Sequence, residues 1–338
     1  METKLLHPND VNVASKLLKQ GELVAFPTET VYGLGALATN ERAVRKVYQA
    51  KGRPSDNPLI VHLASAKEIA KYAQQIPSYF TALADHFWPG PLTVVLPLKD
   101  NLFSKSVTGG LATCAFRVPD NQIARDLLSL TGPVVAPSAN TSGKPSPTEA
   151  IHVLDDLAHK IAAVIDGGRT QVGVESTVID LTDSHQITIL RPGGISAKQI
   201  QAVTELPVIY DKHLLQADEA PKAPGMKYKH YSPQTKVLML GLDSDLPEAL
   251  IAYHDLRLGL LANEQLIQQS QNLVQASYSL GADKNAQSAA HNLFAGLRAL
   301  DKENLDLILV ETYSGDDSYS QAYMNRLQKA AAYEYFEK

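Results

Sequence analysis

The chain has 338 residues, of which 44% are apolar, with a net charge of −5 and a single cysteine, Cys114. This length can support two domains, and one cysteine excludes a framework of internal disulfides. No apolar run approaches the roughly 20 residues of a membrane span, and the N-terminus lacks the apolar core of a signal peptide. We therefore predict a cytoplasmic protein that does not bind membranes.

The first two hundred residues alternate between helix and strand signals. Asn9 or Asp10 can cap a first helix, and Ser65 with Glu68 forms a capping box for a helix that runs to about Gln75. Apolar residues at helical spacing predict further helices over ERAVRKVYQA, NQIARDLLSL and residues 148–158. Strands are predicted over ELVAF, PLIVHL, LTVVLPL, TCAFRV, VVAP and AAVID, with STVIDL and ITIL as a closing hairpin. The mixture predicts an α/β fold with a twisted sheet that is only partly parallel.

The pattern changes near Leu206. Residues 208–233 include a proline- and glycine-containing stretch without a clear period, which indicates a linker. Beyond it, strands are predicted over KVLMLG, RLGLLA, NLVQASYSL and LDLILVE, with a long helix before the last of them. The sequence therefore predicts three parts: a first α/β domain over 1–207, a linker over 208–233, and a smaller Rossmann-like α/β domain over 234–338.

Residues 51–62, KGRPSDNPLIVH, place two cations just past a helix end. Lys51 and Arg53 lie in a loop that Pro54 and Pro58 make stiff. One interpretation is that the cations offset the dipole of the preceding helix. The other is a binding loop, because a chain that proline has already ordered loses less freedom when a ligand binds.

The segment APSANTSGKPSPT, residues 136–148, follows a buried-type strand and combines hydroxyls, an amide and one lysine. Such groups suit phosphate oxygens, and ligands of α/β proteins bind beyond the carboxyl ends of strands. The same residue types also favour ordinary turns, and the P-loop pattern is not met. In FPTETVYGLG, Gly33 and Gly35 permit close backbone approach.

Other predicted strand ends carry Arg117 and Arg191, with hydroxyls nearby and few acids. Transfer of phosphoryl or nucleotidyl groups depends on positioning and charge neutralisation more than on proton shuttling. The pattern as a whole therefore favours that class of reaction over hydrolysis by a carboxylate pair or a Ser-His-Asp triad.

Seven motifs in order resemble the YrdC-like family: PTETVYGLG, KGRPSDNPLIVH, PGPLT, FRVPD, APSANTSGKPSPT, ESTVID and LRPGGIS. The later APGMKYKHYSP and the second domain resemble its long, two-domain form, the threonylcarbamoyl-AMP synthases. The resemblance covers essentially the whole chain. It implies a YrdC-like twisted mixed sheet, and an enzyme that joins L-threonine, bicarbonate and ATP into threonylcarbamoyl-AMP with release of pyrophosphate.

This reaction is the first step in forming N6-threonylcarbamoyladenosine beside the anticodon of tRNAs that read ANN codons. The resemblance implies that Mg²⁺ is carried with ATP rather than by a dedicated set of protein ligands. It also implies that the product passes to the tRNA threonylcarbamoyl transferase machinery. Whether this chain binds tRNA directly stays open.

The resemblance also assigns roles to residues. The catalytic set is Lys51, Arg53, Ser138 and Asn140. The positions that match those for L-threonine are Thr30, His62, Arg117 and Ser176. The positions that match those for ATP are Arg53, Asn57, Thr113, Ser138, Ser146, Arg191 and Tyr231. The linker with Tyr231 is predicted to close over the nucleotide as a lid. Without the family motif, we would interpret His62, alone on a strand, as a histidine of the core whose hydrogen bonds are satisfied.

Two other functions are considered. A carbamoyl-transfer domain of the hydrogenase-maturation type shares the YrdC-like fold, but no zinc-finger-like cysteine repeats precede the domain here. An RNA-binding factor of translation or ribosome assembly normally shows a basic excess. Residues 234–338 hold 8 basic and 14 acidic residues, a net charge of −6, which leaves 1–233 at only +1. The charge balance therefore disfavours the RNA-binding alternative.

Overall fold

The computed structural model describes residues 2–211, 231–241, 246–282 and 284–337. These residues form two compact units. Unit 1 contains the described residues within 1–142, 147–171 and 175–228, and unit 2 contains those within 143–146, 172–174 and 229–338. Among the described residues, no helix has both the length and the apolar content needed to cross a bilayer.

Unit 1 is built on a mixed sheet of eleven strands. They are β1 (Lys4–Leu6), β2 (Val24–Phe26), β3 (Gly33–Leu37), β4 (Ile60–His62), β5 (Leu92–Pro97), β6 (Thr113–Arg117), β7 (Val134–Val135), β8 (Ala163–Ile165), β9 (Thr177–Asp180), β10 (Ile187–Arg191) and β11 (Val208–Tyr210). Their order across the sheet is β1-β8-β2-β3-β7-β4-β6-β5-β9-β10-β11. Both parallel pairs, such as β4 with β6, and antiparallel pairs, such as β5 with β6, occur. The predicted partly parallel sheet is confirmed, as is the antiparallel pairing of β9 with β10.

Eight α-helices of unit 1 connect these strands. They are α1 (Val11–Lys19), α2 (Glu41–Lys51), α3 (Ile69–Tyr72), α4 (Phe80–Phe87), α5 (Lys105–Thr108), α6 (Gln122–Thr131), α7 (Ala150–Leu157) and α8 (Ala197–Thr204), with short 3-10 turns at Pro8–Asp10 and Ala66–Glu68. Asn40 caps α2 by accepting a hydrogen bond from the Ala43 amide, and Asn121 caps α6 in the same way.

Two helix ends differ from the sequence prediction. Lys51 is the last residue of α2 rather than part of the loop, because Gly52 adopts the left-handed conformation (φ 62°) that ends the helix. The helix after Ser65 ends at Tyr72, short of the predicted Gln75. Its chain becomes extended there because the Gln74 amide donates to the Pro97 carbonyl at 2.8 Å.

The two faces of the sheet have different roles. Side chains alternate between faces along a strand, so Val61 and Phe116 point into the main core while Ile60 and Ala115 point to the other side. On that second face lies a small cluster made of Ile60, Val95, Ala115, Val178 and Leu190. The same alternation places the polar residues at positions 62 and 117 on this second face.

Unit 2 has a sheet of four parallel strands in the order β12-β15-β13-β14. They are β12 (Lys236–Met239), β13 (Leu258–Ala262), β14 (Ala276–Ser279) and β15 (Leu307–Val310). Its helices are α9 (Leu246–Ala252), α10 (Glu264–Gln269), α11 (Ala286–Leu300) and α12 (Ser318–Ala330). This arrangement confirms the predicted Rossmann-like α/β character of the C-terminal part.

The segment predicted as a linker begins as a strand. Residues 208–210 form β11, which pairs in parallel with β10 and so extends the sheet of unit 1. Residues 212–230 of the predicted lid lie outside the described residues. The lid therefore stays a prediction, as do the bounds of the three predicted parts.

Candidate active site

Lys51 connects the end of α2 to the loop after β7. Its ammonium donates to the carbonyls of Ser138 at 2.6 Å and Asn140 at 2.7 Å, and the residue is 2% exposed. In return, the Ser142 amide donates to the Lys51 carbonyl at 2.8 Å. The structure thus brings three of the four predicted catalytic residues, Lys51, Ser138 and Asn140, together through main-chain oxygens, and these contacts fix the course of the Ser-x-Asn loop.

Arg53, the fourth predicted catalytic residue, is buried in the loop that follows α2. Its Nη2 donates to the Pro58 carbonyl at 3.2 Å and approaches the Asn57 carbonyl at 3.5 Å. The Asn57 side chain is 2% exposed, and its Oδ1 has no hydrogen-bond partner among the described residues. A buried amide oxygen without a donor is costly, so it is well suited to accept a hydrogen bond from a ligand.

The second face of the unit 1 sheet brings His62 beside Arg117. These residues are the ends of β4 and β6 and are direct partners in the parallel register. Both are buried, at 2% and 4% exposure. Arg117 Nε donates to the Gly90 carbonyl at 3.3 Å, which fixes the plane of the guanidinium. Two of the four predicted threonine-binding residues are therefore adjacent, one carrying a planar cation and the other an imidazole.

Burial, together with the positive charge of Arg117, lowers the pKa of His62 to about 3. The imidazole is therefore neutral at physiological pH. Its Nδ1 lies 3.3 Å from the Ile60 carbonyl, which can only accept, so the hydrogen-bond network assigns the proton to Nδ1. This leaves Nε2 as an acceptor for a hydroxyl or amine.

The loop between β2 and β3 brings Thr30 and Glu29 into unit 1's interior. Thr28 Oγ1 accepts from the amides of Thr30 and Val31 and donates to the Val31 carbonyl at 2.7 Å. Because the Thr28 hydrogen is used there, Thr30 donates in the 2.8 Å contact between the two hydroxyls. Glu29, between them, forms an ion pair with Arg117, with Oε1 2.7 Å from Nη2.

Ser176 and Arg191 meet at the other side of the same face. Arg191 Nε donates to the Ser176 carbonyl at 3.0 Å, and its Nη2 donates to Ser176 Oγ at 3.1 Å. The Ser176 hydroxyl also lies 2.8 Å from Thr93 Oγ1. A residue predicted for threonine and one predicted for ATP are therefore linked directly. Thr113, at the start of β6, is half-buried and pairs with Pro97 at the end of β5 that is remote from Ser176.

Two predicted ATP residues, Ser146 and Tyr231, belong to unit 2. The neighbouring Ser232 amide donates to the Gly143 carbonyl at 2.8 Å, which joins the two segments within that unit. Tyr231 is 1% exposed, has a positive φ of 66°, and packs its ring 5.2 Å from that of Phe294. These contacts describe Tyr231 within unit 2 only, and its role toward ATP stays a prediction.

Sequence reasoning missed Thr28, Glu29 and Thr93. Thr28 and Glu29 stand inside the PTETVYGLG motif, but a Thr-x-Thr pattern and one acid are common in turns. Thr93 looks like any β-branched strand residue. Only the pairing of β5 with β6 and β9 brings Thr93 to Ser176.

The groups at this face and in the loop after α2 are suited to a small zwitterion and an anion. Arg117 offers a planar donor for a carboxylate, His62 an acceptor, and Ser176 and Thr30 hydroxyls. Arg53 and Arg191 supply cations for an anion, and Asn57 supplies an unused acceptor for an N–H or O–H group of a ligand. The fold and the site therefore define an α/β protein in which groups suited to an amino acid adjoin groups suited to an anion.

Comparisons with known proteins agree with this class. Residues 16–193 match the family described as "Telomere recombination" (Sua5_yciO_yrdC), and residues 195–332 match that described as "Threonylcarbamoyl-AMP synthase, C-terminal domain". The chain is 44% identical to the threonylcarbamoyl-AMP synthase of Bacillus subtilis, covering 97% of this chain and 95% of that protein. It is 43% identical to the synthase of Pyrococcus abyssi, covering 96% and 94%.

A solved structure of Pyrococcus abyssi Sua5 complexed with L-threonine matches with a TM-score of 0.91 and 39% identity, over 100% of both chains. The chain belongs to the threonylcarbamoyl-AMP synthase family, in its two-domain form. The family resemblance drawn from the seven motifs is confirmed.

Proposed function

We propose that this protein is an L-threonylcarbamoyladenylate synthase, which converts L-threonine, bicarbonate and ATP into threonylcarbamoyl-AMP and pyrophosphate. The observation that supports it most is the sheet face where Arg117, His62 and Ser176 lie together, in a chain that matches over its full length a Sua5 structure complexed with L-threonine. A cytoplasmic location is part of the same proposal, since ATP and tRNA are used there.

The geometry supports the threonine-binding groups that we propose. Arg117 binds the carboxylate of threonine, because its guanidinium is buried and fixed by the Gly90 carbonyl. The neutral His62 accepts from the threonine hydroxyl through Nε2. Burial strengthens both interactions, since water does not compete for the same groups.

The anion-binding groups hold the triphosphate. Arg53 and Arg191 offset phosphate charge, the Ser138 hydroxyl donates to a phosphate oxygen, and the unpaired Asn57 Oδ1 accepts from an N–H or O–H group of the nucleotide. These donors are guanidinium and hydroxyl groups, which suit phosphate oxygens better than a divalent ion. We therefore propose that Mg²⁺ is held on the phosphate oxygens, where it neutralises charge during nucleotidyl transfer.

In this reaction, the amine of threonine and bicarbonate give a carbamate and water. An oxygen of the carbamate then attacks the α-phosphorus of ATP, and pyrophosphate leaves. No covalent intermediate with the protein is needed, so the side chains act by positioning and by charge neutralisation. The product is a reactive mixed anhydride, which we propose is consumed by the tRNA threonylcarbamoyl transferase machinery.

The test is pyrophosphate release by the full chain with ATP and Mg²⁺, with threonine and bicarbonate omitted in turn. We expect release only when both are present. Arg53→Ala should raise the KM for ATP by about tenfold or more. The matched control is Arg125→Ala, which removes an arginine that pairs with Asp120 on the exposed side of α6, and it should leave the KM for ATP unchanged.

Release of pyrophosphate without threonine would contradict the proposal and point to another acceptor. An absence of ATP turnover combined with specific, salt-dependent RNA binding would instead support the RNA-binding alternative. A filter-binding titration over salt concentration with the same preparation measures that outcome.

A further inference from the structure

Glu29 is a buried carboxylate with unused hydrogen-bonding capacity. It is 4% exposed, and within the described part of the chain neither of its oxygens has a hydrogen-bond partner. Its contact is the ion pair with Arg117, where Oε1 lies 2.7 Å from Nη2 without the alignment of a hydrogen bond. A carboxylate can accept about four hydrogen bonds, so this one has room for a donor that the described chain does not supply.

A carboxylate in this position is expensive to bury without donors. The positive charge of Arg117 compensates its charge, but the lone pairs still lose their hydrogen bonds to water. The backbone on both sides of Glu29 is held in a turn, because Thr28 Oγ1 accepts hydrogen bonds from the amides of Thr30 and Val31. The loop therefore does not let Glu29 turn away from Arg117 easily. The arrangement is therefore stabilised when a ligand places N–H or O–H groups against Glu29.

The ion pair also has the shape of a receptor for an α-amino acid. Such a zwitterion carries an ammonium and a carboxylate on one carbon, so its two charges are adjacent. Glu29 and Arg117 present the two opposite charges in contact, and both are buried. An ammonium has three donors and no acceptor, which matches a carboxylate that lacks donors.

We propose that Glu29 binds the α-ammonium group of the amino-acid substrate while Arg117 binds its carboxylate. This inference rests on the proposed function and deepens it, since it names the group that orients the nitrogen forming the new carbon–nitrogen bond. It makes Glu29 a substrate-binding residue in addition to the residues that the motifs assign to threonine. It also explains why an acid stands in a site whose other charged groups are cations.

The test measures binding of two ligands to the full chain by calorimetry, without ATP. The first ligand is L-threonine, and the second is 3-hydroxybutyrate, which keeps the carboxylate and the hydroxyl but lacks the ammonium. Glu29→Gln keeps the shape of the side chain and removes its charge. We expect it to raise the Kd of threonine by roughly ten- to a hundredfold and to leave the Kd of 3-hydroxybutyrate within about threefold.

The matched control is Glu41→Gln, the same chemical change at an exposed residue of α2 that pairs with Arg45. It should change neither Kd. A measurement on the unsubstituted chain makes the test independent of whether Glu29→Gln folds: threonine should bind at least about tenfold more tightly than 3-hydroxybutyrate.

The outcomes separate the possible failures. If Glu29→Gln weakens both ligands equally, Glu29 only supports Arg117, and the proposal is overturned. If it weakens neither, or if the unsubstituted chain binds both ligands equally, the ammonium does not meet Glu29 and the proposal is likewise wrong. If the unsubstituted chain binds no threonine even with ATP present, the proposed function itself fails.

Discussion

Replacing Lys51 by methionine tests whether its ammonium holds the Ser-x-Asn loop in place. Methionine has nearly the same length and keeps the apolar contacts, but it removes the donor to the carbonyls of Ser138 and Asn140. A buried carbonyl left without a partner costs about 1–3 kcal/mol. Two of them, partly offset because a buried charge is also removed, give an expected loss of about 3 kcal/mol.

Hydrogen exchange of the Ala139 amide measures this loss where it occurs. That amide donates to the Tyr32 carbonyl at 2.8 Å, within the loop that Lys51 holds. A local opening made easier by about 3 kcal/mol exchanges roughly a hundredfold faster. Pyrophosphate release should fall in parallel, since Ser138 and Asn140 belong to the predicted catalytic set.

Lys46→Met is the matched control on the same helix. The Lys46 ammonium also donates to a carbonyl, that of Gly21 at 2.8 Å, but its side chain is 33% exposed. Water can replace the lost donor there, so we expect a loss below about 1 kcal/mol and unchanged exchange at Ala139. If Lys51→Met leaves the exchange of Ala139 within about threefold of the unsubstituted chain, the reasoning about Lys51 is refuted.

Three further predictions concern other parts of the molecule. The pKa of His62 is about 3 when folded and about 6.5 when unfolded, so the unfolded state binds more protons and stability falls as pH falls through this window. Between pH 7.5 and pH 5 the protonation of unfolded His62 lowers the free energy of unfolding by about 2 kcal/mol. In urea unfolding, the free energy of unfolding of His62→Gln should therefore depend less on pH than that of the unsubstituted chain. An unchanged pH dependence would contradict the low pKa of His62. Gly193→Ala should raise the KM for threonine or abolish activity, because the added methyl would lie 2.5 Å from the Ser176 carbonyl carbon; kinetics identical to those of the unsubstituted chain would refute this. In unit 2, Asn263→Ala removes the cap of α10 and two hydrogen bonds to the buried Glu311 carboxylate, so we expect a loss of about 2–3 kcal/mol in chemical denaturation, and a loss below about 0.5 kcal/mol would argue against it.

The sequence predicted most strands but only half of the α-helices of the described residues, and the elements that it predicted have local signals. Periodic apolar residues and caps such as Asn40 and Asn121 need no information from distant parts of the chain. It was less accurate where a distant contact ends an element, as at Tyr72, where pairing of the next residues with the segment after β5 stops the helix early.

Two glycines show the same difference between what local sequence predicts and what distant contacts decide. The sequence predicted that Gly33 and Gly35 allow a close backbone approach, but it did not say to what. A methyl on Gly35 would lie 2.9 Å from the Phe26 ring and from the Val24 carbonyl oxygen, both in the paired strand β2. At Gly35 the close neighbour is the chain itself.

The sequence by itself determined the α/β class, the family and the candidate residues, because motifs and periodicity are carried by neighbouring positions. Only the tertiary structure decided that Glu29 meets Arg117 and that Ser176 meets Arg191. Those contacts depend on strand register and on a loop folding over the second sheet face, and a shift of one residue would turn each strand side chain to the opposite face. The unpaired oxygens of Glu29, from which we infer the ammonium site, become visible only once its neighbours are known.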